Sequence, residues 1–244
     1  MVTLRDKTRS IVFPSSIILF IMLFSSITLN QSFAEILFTD DFSESLDDNW
    51  ILFGEPLPIL CDTMGLPPPS FDNNGDTMYS SGAFSRECFD YAGGLVLECD
   101  IYVTSNPRGA WISGSIGLSQ VNEGEYGPTN AEIPEIYLGY NYCGEANWGC
   151  PHLQGEIGFS LRASSSSLEY NVLVHRNEFL DSWHRFKIVL EQDLRASFYI
   201  DSIHIYTTEL SLSPDLGPLS IYLGDRSNSY GRVYHDNLIL RTPE

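Results

Sequence analysis

Glu98 and Asp100 stand two residues apart in the run from Leu95 to Val103, so on an extended strand both carboxylates leave the same face. A pair of carboxyl groups about 5–5.5 Å apart, one ionised and one protonated, is the equipment for retaining hydrolysis of a glycosidic bond. Tyr102 continues that face, and a phenol with an ordinary pKa near 10 is a poor proton donor to a leaving sugar. By itself this face reads as the polar outer face of a strand. Sugars present apolar C–H faces that stack on flat rings, while their hydroxyls bond to Asp, Asn, Glu and Arg. Trp111 stands on the polar side of the following run, and Tyr137 and Asn141 on that of a third, so these join Glu98, Asp100 and Tyr102 if their strands share a sheet. Trp148, between Cys143 and Cys150, completes the candidate ligand face. Trp50 and Trp183 are read as core anchors, so that Trp183→Ala would cost about 3–5 kcal/mol.

Other constellations fall short of a site. Asp72, Asn74 and Asp76 place oxygens at alternate positions as the first half of a calcium loop does, but Ala83 stands where the bidentate Glu would be needed. The stretch reads as a turn built on Asn74-Gly75. Cys143, Cys150 and His152 lack a fourth zinc ligand at usable spacing. The sequence contains no serine elbow, no H-E-x-x-H and no Gly-rich phosphate loop.

These residues must be positioned by strands. Period-two alternation dominates from Tyr79 onward and no segment carries a sustained helical stripe, which makes the fold all-β. Leu95 to Val103, Ala110 to Leu118, Glu135 to Tyr142, Gly155 to Arg162, Leu168 to His175, His184 to Leu190, Ala196 to Ile200, Ile203 to Tyr206, Pro218 to Leu223 and Arg232 to Leu240 each read as a strand. Asp201-Ser202 reads as a tight hairpin turn. Many short strands without alternating helices imply a sandwich or barrel. The Pro-rich segment from Gly54 to Asp76 and the stretch from Gln120 to Pro134 read as long surface loops.

The chain opens with Arg5, Lys7 and Arg9, continues through an apolar segment and turns polar before Ser32-Phe33-Ala34, the pattern of a signal peptide over 1–34 with cleavage after Ala34. The competing reading is an uncleaved N-terminal anchor. Residues 35–244 then form one domain without membrane insertion, exported to the extracellular space or cell surface, where disulfides persist. Cys143 and Cys150 close a short loop and form the first expected pair; Cys99, on the apolar side of its strand, is the expected buried free thiol; Cys61 and Cys88 remain as the second pair. The formal charge of −19 repels nucleic acid and anionic membranes and leaves neutral ligands or cations as partners.

Three stretches resemble the concanavalin A-like lectin/glucanase superfamily, in its laminin G-like, non-catalytic branch. They are Asp40-Asp41-Phe42 with Leu46 and Trp50, the segment from Ser182-Trp183-His184 to Phe198-Tyr199-Ile200-Asp201, and Gly217 to Gly224 followed by Val233 to Leu238. The resemblance implies a two-sheet antiparallel jelly-roll with ligand on a concave face. It also implies a structural calcium ion between the first and last strands, held by Asp236 with Asp41. Where glucanases of the superfamily carry a third carboxylate on the catalytic strand, this chain has Tyr102. The function expected is a secreted, non-enzymatic module that binds carbohydrate or a glycosylated surface. A protein-interaction domain of the cell envelope is the alternative, and a polysaccharide-degrading enzyme the third reading.

Overall fold

The computed structural model describes residues 34–74, 81–105, 111–120, 134–143, 154–164, 167–175, 179–224 and 232–244, with the side chains of 111–113, 141–143, 154, 174 and 175 outside that description. The leader, Trp148, Cys150 and His152 lie outside the described residues. Fifteen strands and one short helix make up the described elements: β1 (Ile36–Asp40), α1 (Leu46–Asn49), β2 (Trp50–Phe53), β3 (Ile59–Cys61), β4 (Ser70–Asp72), β5 (Gly82–Phe89), β6 (Leu95–Val103), β7 (Trp111–Ser119), β8 (Ile136–Cys143), β9 (Gln154–Ser164), β10 (Ser167–His175), β11 (Trp183–Leu190), β12 (Ala196–Ile200), β13 (Ile203–Thr207), β14 (Leu219–Gly224) and β15 (Val233–Arg241).

They form two antiparallel sheets. One has eight strands in the order β13-β12-β11-β6-β15-β4-β3, with β1 also paired to β15; the other has seven in the order β10-β9-β8-β7-β14-β5-β2. Alternation explains the sandwich. In β6 the apolar Leu95, Leu97, Cys99, Ile101 and Val103 are all buried, and they meet Ile116, Leu118, Leu138, Phe159 and Leu161 of the other sheet in one core. Among the described residues no helix is long and apolar enough to cross a membrane.

Four expectations are corrected by the structure. The segment from Gly54 to Asp76 is more than a surface loop: it contributes β3 and β4, and Ser70, Phe71 and Asp72 are all buried. Asp40, which together with Asp41 reads in the sequence as the opening of the first strand, ends it. Trp183 is not a core residue; it shares the outer side of β11 with Arg185 and Lys187 and packs edge-on against Tyr102 at 5.5 Å. Cys61 and Cys88 are both unbonded and lie on strands of different sheets, with Cys61 Sγ 3.4 Å from Thr63 Oγ1 and Cys88 Sγ 3.3 Å from Ser220 Oγ. The Cys143–Cys150 pair falls outside the described side chains.

Cys99 is fully buried and unbonded, and burial pushes its thiol pKa far up. Iodoacetamide should therefore modify Cys88 and Cys61 in the folded protein, and Cys99 only after denaturation. Peptide mapping checks this, and a Cys61–Cys88 cross-linked peptide would contradict it.

Candidate functional site

The residues proposed to share one ligand face are divided between the two sheets. β6, with Glu98, Asp100 and Tyr102, belongs to the eight-stranded sheet; β7 and β8, with Trp111, Tyr137 and Asn141, belong to the seven-stranded one. Since the polar side of each strand faces away from the common core, Glu98, Asp100 and Tyr102 lie on one outer side of the sandwich and Tyr137 on the other.

The outer face of the eight-stranded sheet is an ion-pair ladder. Arg185 reaches Glu98 at 3.4 Å and Asp100 at 3.3 Å, and its guanidinium donates to the Asn237 carbonyl at 2.8 Å. Arg241 lies 3.1 Å and Lys187 3.9 Å from the other Glu98 oxygen, and Asn237 Nδ2 donates to Asp100 at 3.0 Å. Tyr102 lies between Trp183 and Tyr234, at 5.5 and 6.0 Å. The carboxylates that resemble a hydrolytic pair are thus each paired with fixed cations. Asp72 is likewise occupied: buried at the end of β4, it pairs with Arg232 at 2.8 Å and accepts from the Asn74 N–H at 2.8 Å.

Asp236 lies on the opposite side of β15 from Leu238 and Leu240. A bulge at Asn237, whose φ is +49°, shifts the β15 register between Asp236 and Ile239. His235 therefore faces the core, as Leu238 and Leu240 do, while Asp236 sits opposite Asp100 on the other side. One Asp236 oxygen accepts from the Leu66 N–H and the other from the Asn237 N–H at 2.7 Å. Burial pushes its carboxyl above the ordinary range, an effect those two donors oppose and Asp100 and Asp41 reinforce. Asp41 accepts from the Ser43 N–H at 3.1 Å and lines an open cleft of about 420 Å³ that Asp236 does not line. The Leu66 and Asn237 backbone donors compensate the buried Asp236 carboxylate. Among the described residues no three His, Cys, Asp or Glu side chains are grouped to hold a metal.

The outer face of the seven-stranded sheet is organised differently. Register places Ile51, Phe84, Tyr222, Gly117, Tyr137, Ser160 and Tyr170 in one row across all seven strands. The adjoining row is built almost wholly of small residues, Gly82, Gly224, Ser115, Gly139 and Gly158. The two rows are coupled. A Cβ on Gly82 would meet Phe53 Cζ at 2.7 Å, one on Gly224 would meet the Tyr222 hydroxyl at 3.0 Å, and one on Gly139 would collide with that of Tyr137. The rings therefore lean along their strands and lie over the glycines. Phe53, Phe84 and Tyr222 make mutual contacts at 5.2–6.1 Å, and with Tyr137 they form a second, buried aromatic cluster. At the β10 end the same face opens: Tyr170 is 49% and Leu168 39% exposed. Tyr137 was thus expected on a ligand face and is found on this one, though buried; Trp111 and Asn141 lie on β7 and β8, their side chains outside the described set. Tyr170 was missed, although its alternation with Leu168 and Val172 on an otherwise polar strand was visible in the sequence.

No protein-family model matches the sequence, and no curated protein matches it; solved structures do. The globular domain of T. cruzi calreticulin aligns with a TM-score of 0.61 at 12% identity, over 86% of this chain and 88% of that one. The carbohydrate recognition domain of Emp47p aligns at 0.57 with 9% identity, over 84% and 93%. A chain described as the carbohydrate esterase vb_24B_21 from Shiga toxin-encoding bacteriophage phi24B aligns at 0.55 with 12% identity, over 87% and 100%. At these identities the likeness is one of fold: a two-sheet antiparallel sandwich consistent with the concanavalin A-like class.

Proposed function

We propose that the protein is a carbohydrate-binding module, exported by its N-terminal leader, that takes a glycan over the outer face of the seven-stranded sheet. The observation that carries this reading is the exposed Tyr170, which with Leu168 opens the β10 end of that face beyond the buried aromatic cluster. An exposed ring such as that of Tyr170 can stack on the C–H face of a sugar. The fold shared with a carbohydrate recognition domain is in keeping with it, and so is a net charge that favours a neutral ligand. The jelly-roll description and the laminin G-like placement belong to the same reading.

A glycan array tests it. Saturable binding is expected, weakened about tenfold by Tyr170→Ala, the size of one lost stacking contact of about 1.4 kcal/mol. Tyr102→Ala, on the opposite sheet, should leave it unchanged. A blank array would favour a protein-interaction domain, and sensitivity to Tyr102→Ala alone would move the site to the other face.

A further inference from the structure

Ser182, His184 and Asp201 form an unbroken hydrogen-bonded chain at the ends of β11 and β12. Ser182 Oγ lies 2.7 Å from His184 Nε2, and His184 Nδ1 lies 2.7 Å from Asp201 Oδ2. The second Asp201 oxygen accepts from the Arg185 backbone N–H at 2.9 Å. An ionised carboxylate can only accept, so Nδ1 carries the imidazole proton and Nε2 of the neutral ring faces the serine with a lone pair. This is the tautomer in which a serine hydroxyl can pass its proton to histidine. Ser182 Oγ also lies 3.3 Å from the Leu180 carbonyl, but the hydroxyl has one proton and the histidine contact is the shorter.

Each member is held from outside the chain. Ser182 follows Asp181, whose φ is +56°, whose N–H donates to the Val103 carbonyl at 2.9 Å and whose carboxylate accepts from the Ser105 N–H at 2.8 Å. The Phe179 ring stands edge-on to His184 at 4.8 Å. Asp201, with φ +51°, opens the two-residue hairpin and donates its own N–H to the Arg185 carbonyl at 2.9 Å. Ser182 and His184 are half-buried and the Asp201 side chain is 43% exposed, so a reagent can reach the serine.

We propose that Ser182, His184 and Asp201 are an acyl-transfer site for short-chain carboxylic esters. Ser182 Oγ attacks the ester carbonyl while its proton passes to His184 Nε2. The tetrahedral adduct collapses, the C–O bond to the alcohol breaks, and the leaving oxygen takes the proton from His184. Water then attacks the acyl-serine, giving one proton to His184; the acid departs and that proton returns to Ser182 Oγ. Asp201 holds the ring in the required tautomer and faces the imidazolium. A half-buried serine suits a short acyl group, which needs no deep pocket.

The site is independent of the proposed glycan face, so Tyr170→Ala should leave its chemistry unchanged. The test exposes the folded protein to a fluorophosphonate and to p-nitrophenyl acetate. A single adduct at Ser182, located by peptide mapping, and slow ester turnover are expected. Ser182→Ala, which removes one hydroxyl, should abolish both. Asp201→Asn keeps a residue that tolerates left-handed backbone and should slow labelling and turnover about 10²–10⁴-fold. Melting curves confirm that each variant is folded. No adduct at Ser182, or wild-type labelling of folded Asp201→Asn, would overturn the proposal and leave the chain as a brace of the hairpin.

Discussion

Trp50→Ala is expected to lower stability by about 3–5 kcal/mol, measured as a shift in the urea midpoint at constant slope. Trp50 is 1% exposed and lies at the centre of an aromatic group with Phe38 at 5.8 Å, Phe42 at 5.9 Å and Phe71 at 6.5 Å. Truncation empties a volume that those rings cannot collapse into, because each is held by its own strand or turn. It also strips a donor from Asp40, whose Oδ2 accepts from the indole N–H at 2.8 Å while Oδ1 accepts from the Phe42 N–H at 2.7 Å. Phe42 has φ +55°, so this carboxylate fixes the turn that carries the chain from β1 toward α1. Trp183→Ala, on the outer face against Tyr102, should cost about 1 kcal/mol, as partly exposed substitutions do. Equal losses in the two variants would mean that the N-terminal aromatic group does not anchor the core.

That contrast was legible in the sequence and was misread. Trp183 has the parity of Arg185 and Lys187, whereas Phe186, Ile188 and Leu190 have the other; alternation assigns the tryptophan to the solvent side. Where a strand has one buried face the period-two signal was sufficient, and β6 and β12 begin and end where alternation places them. The short β3 and β4 were hidden by the prolines around them, since three-residue strands carry too little periodicity to outweigh Pro and Gly. The candidate ligand face failed for a different reason. Strands that follow one another along a sandwich can belong to different sheets, and alternation within β6 and β7 says which residues face out but not from which sheet. The bulge at Asn237 was invisible for a third reason: one left-handed residue reverses the parity of everything before it relative to everything after it.

The same reversal turns His235 into the core and produces the second large effect. His235 is fully buried, with Nε2 3.0 Å from the Ser115 carbonyl of the facing sheet and the Phe71 ring edge-on at 5.5 Å. A carbonyl only accepts, so Nε2 carries the proton, and Nδ1 has no partner among the described residues. Protonating Nδ1 would place a charge and an unpaired donor between the sheets, and burial pushes the imidazole pKa down to about 4. An unfolded histidine titrates near 6.5, so the unfolded chain binds this proton first. The resulting stability is fully present above about pH 6.5 and is lost as pH falls toward 4, by about 3 kcal/mol in all. Asp236 acts in the opposite sense. Its raised pKa lets the folded state take up a proton before the unfolded one does, which offsets part of the loss at the acid end. Urea titrations from pH 7.5 to 4.5 should show stability falling with the steepest slope below pH 6. In His235→Gln, whose amide N–H can still reach the Ser115 carbonyl, most of that dependence should vanish even if the variant is less stable throughout. A wild-type stability that is flat over this range, or an unchanged slope in the variant, would place the proton-linked transition elsewhere.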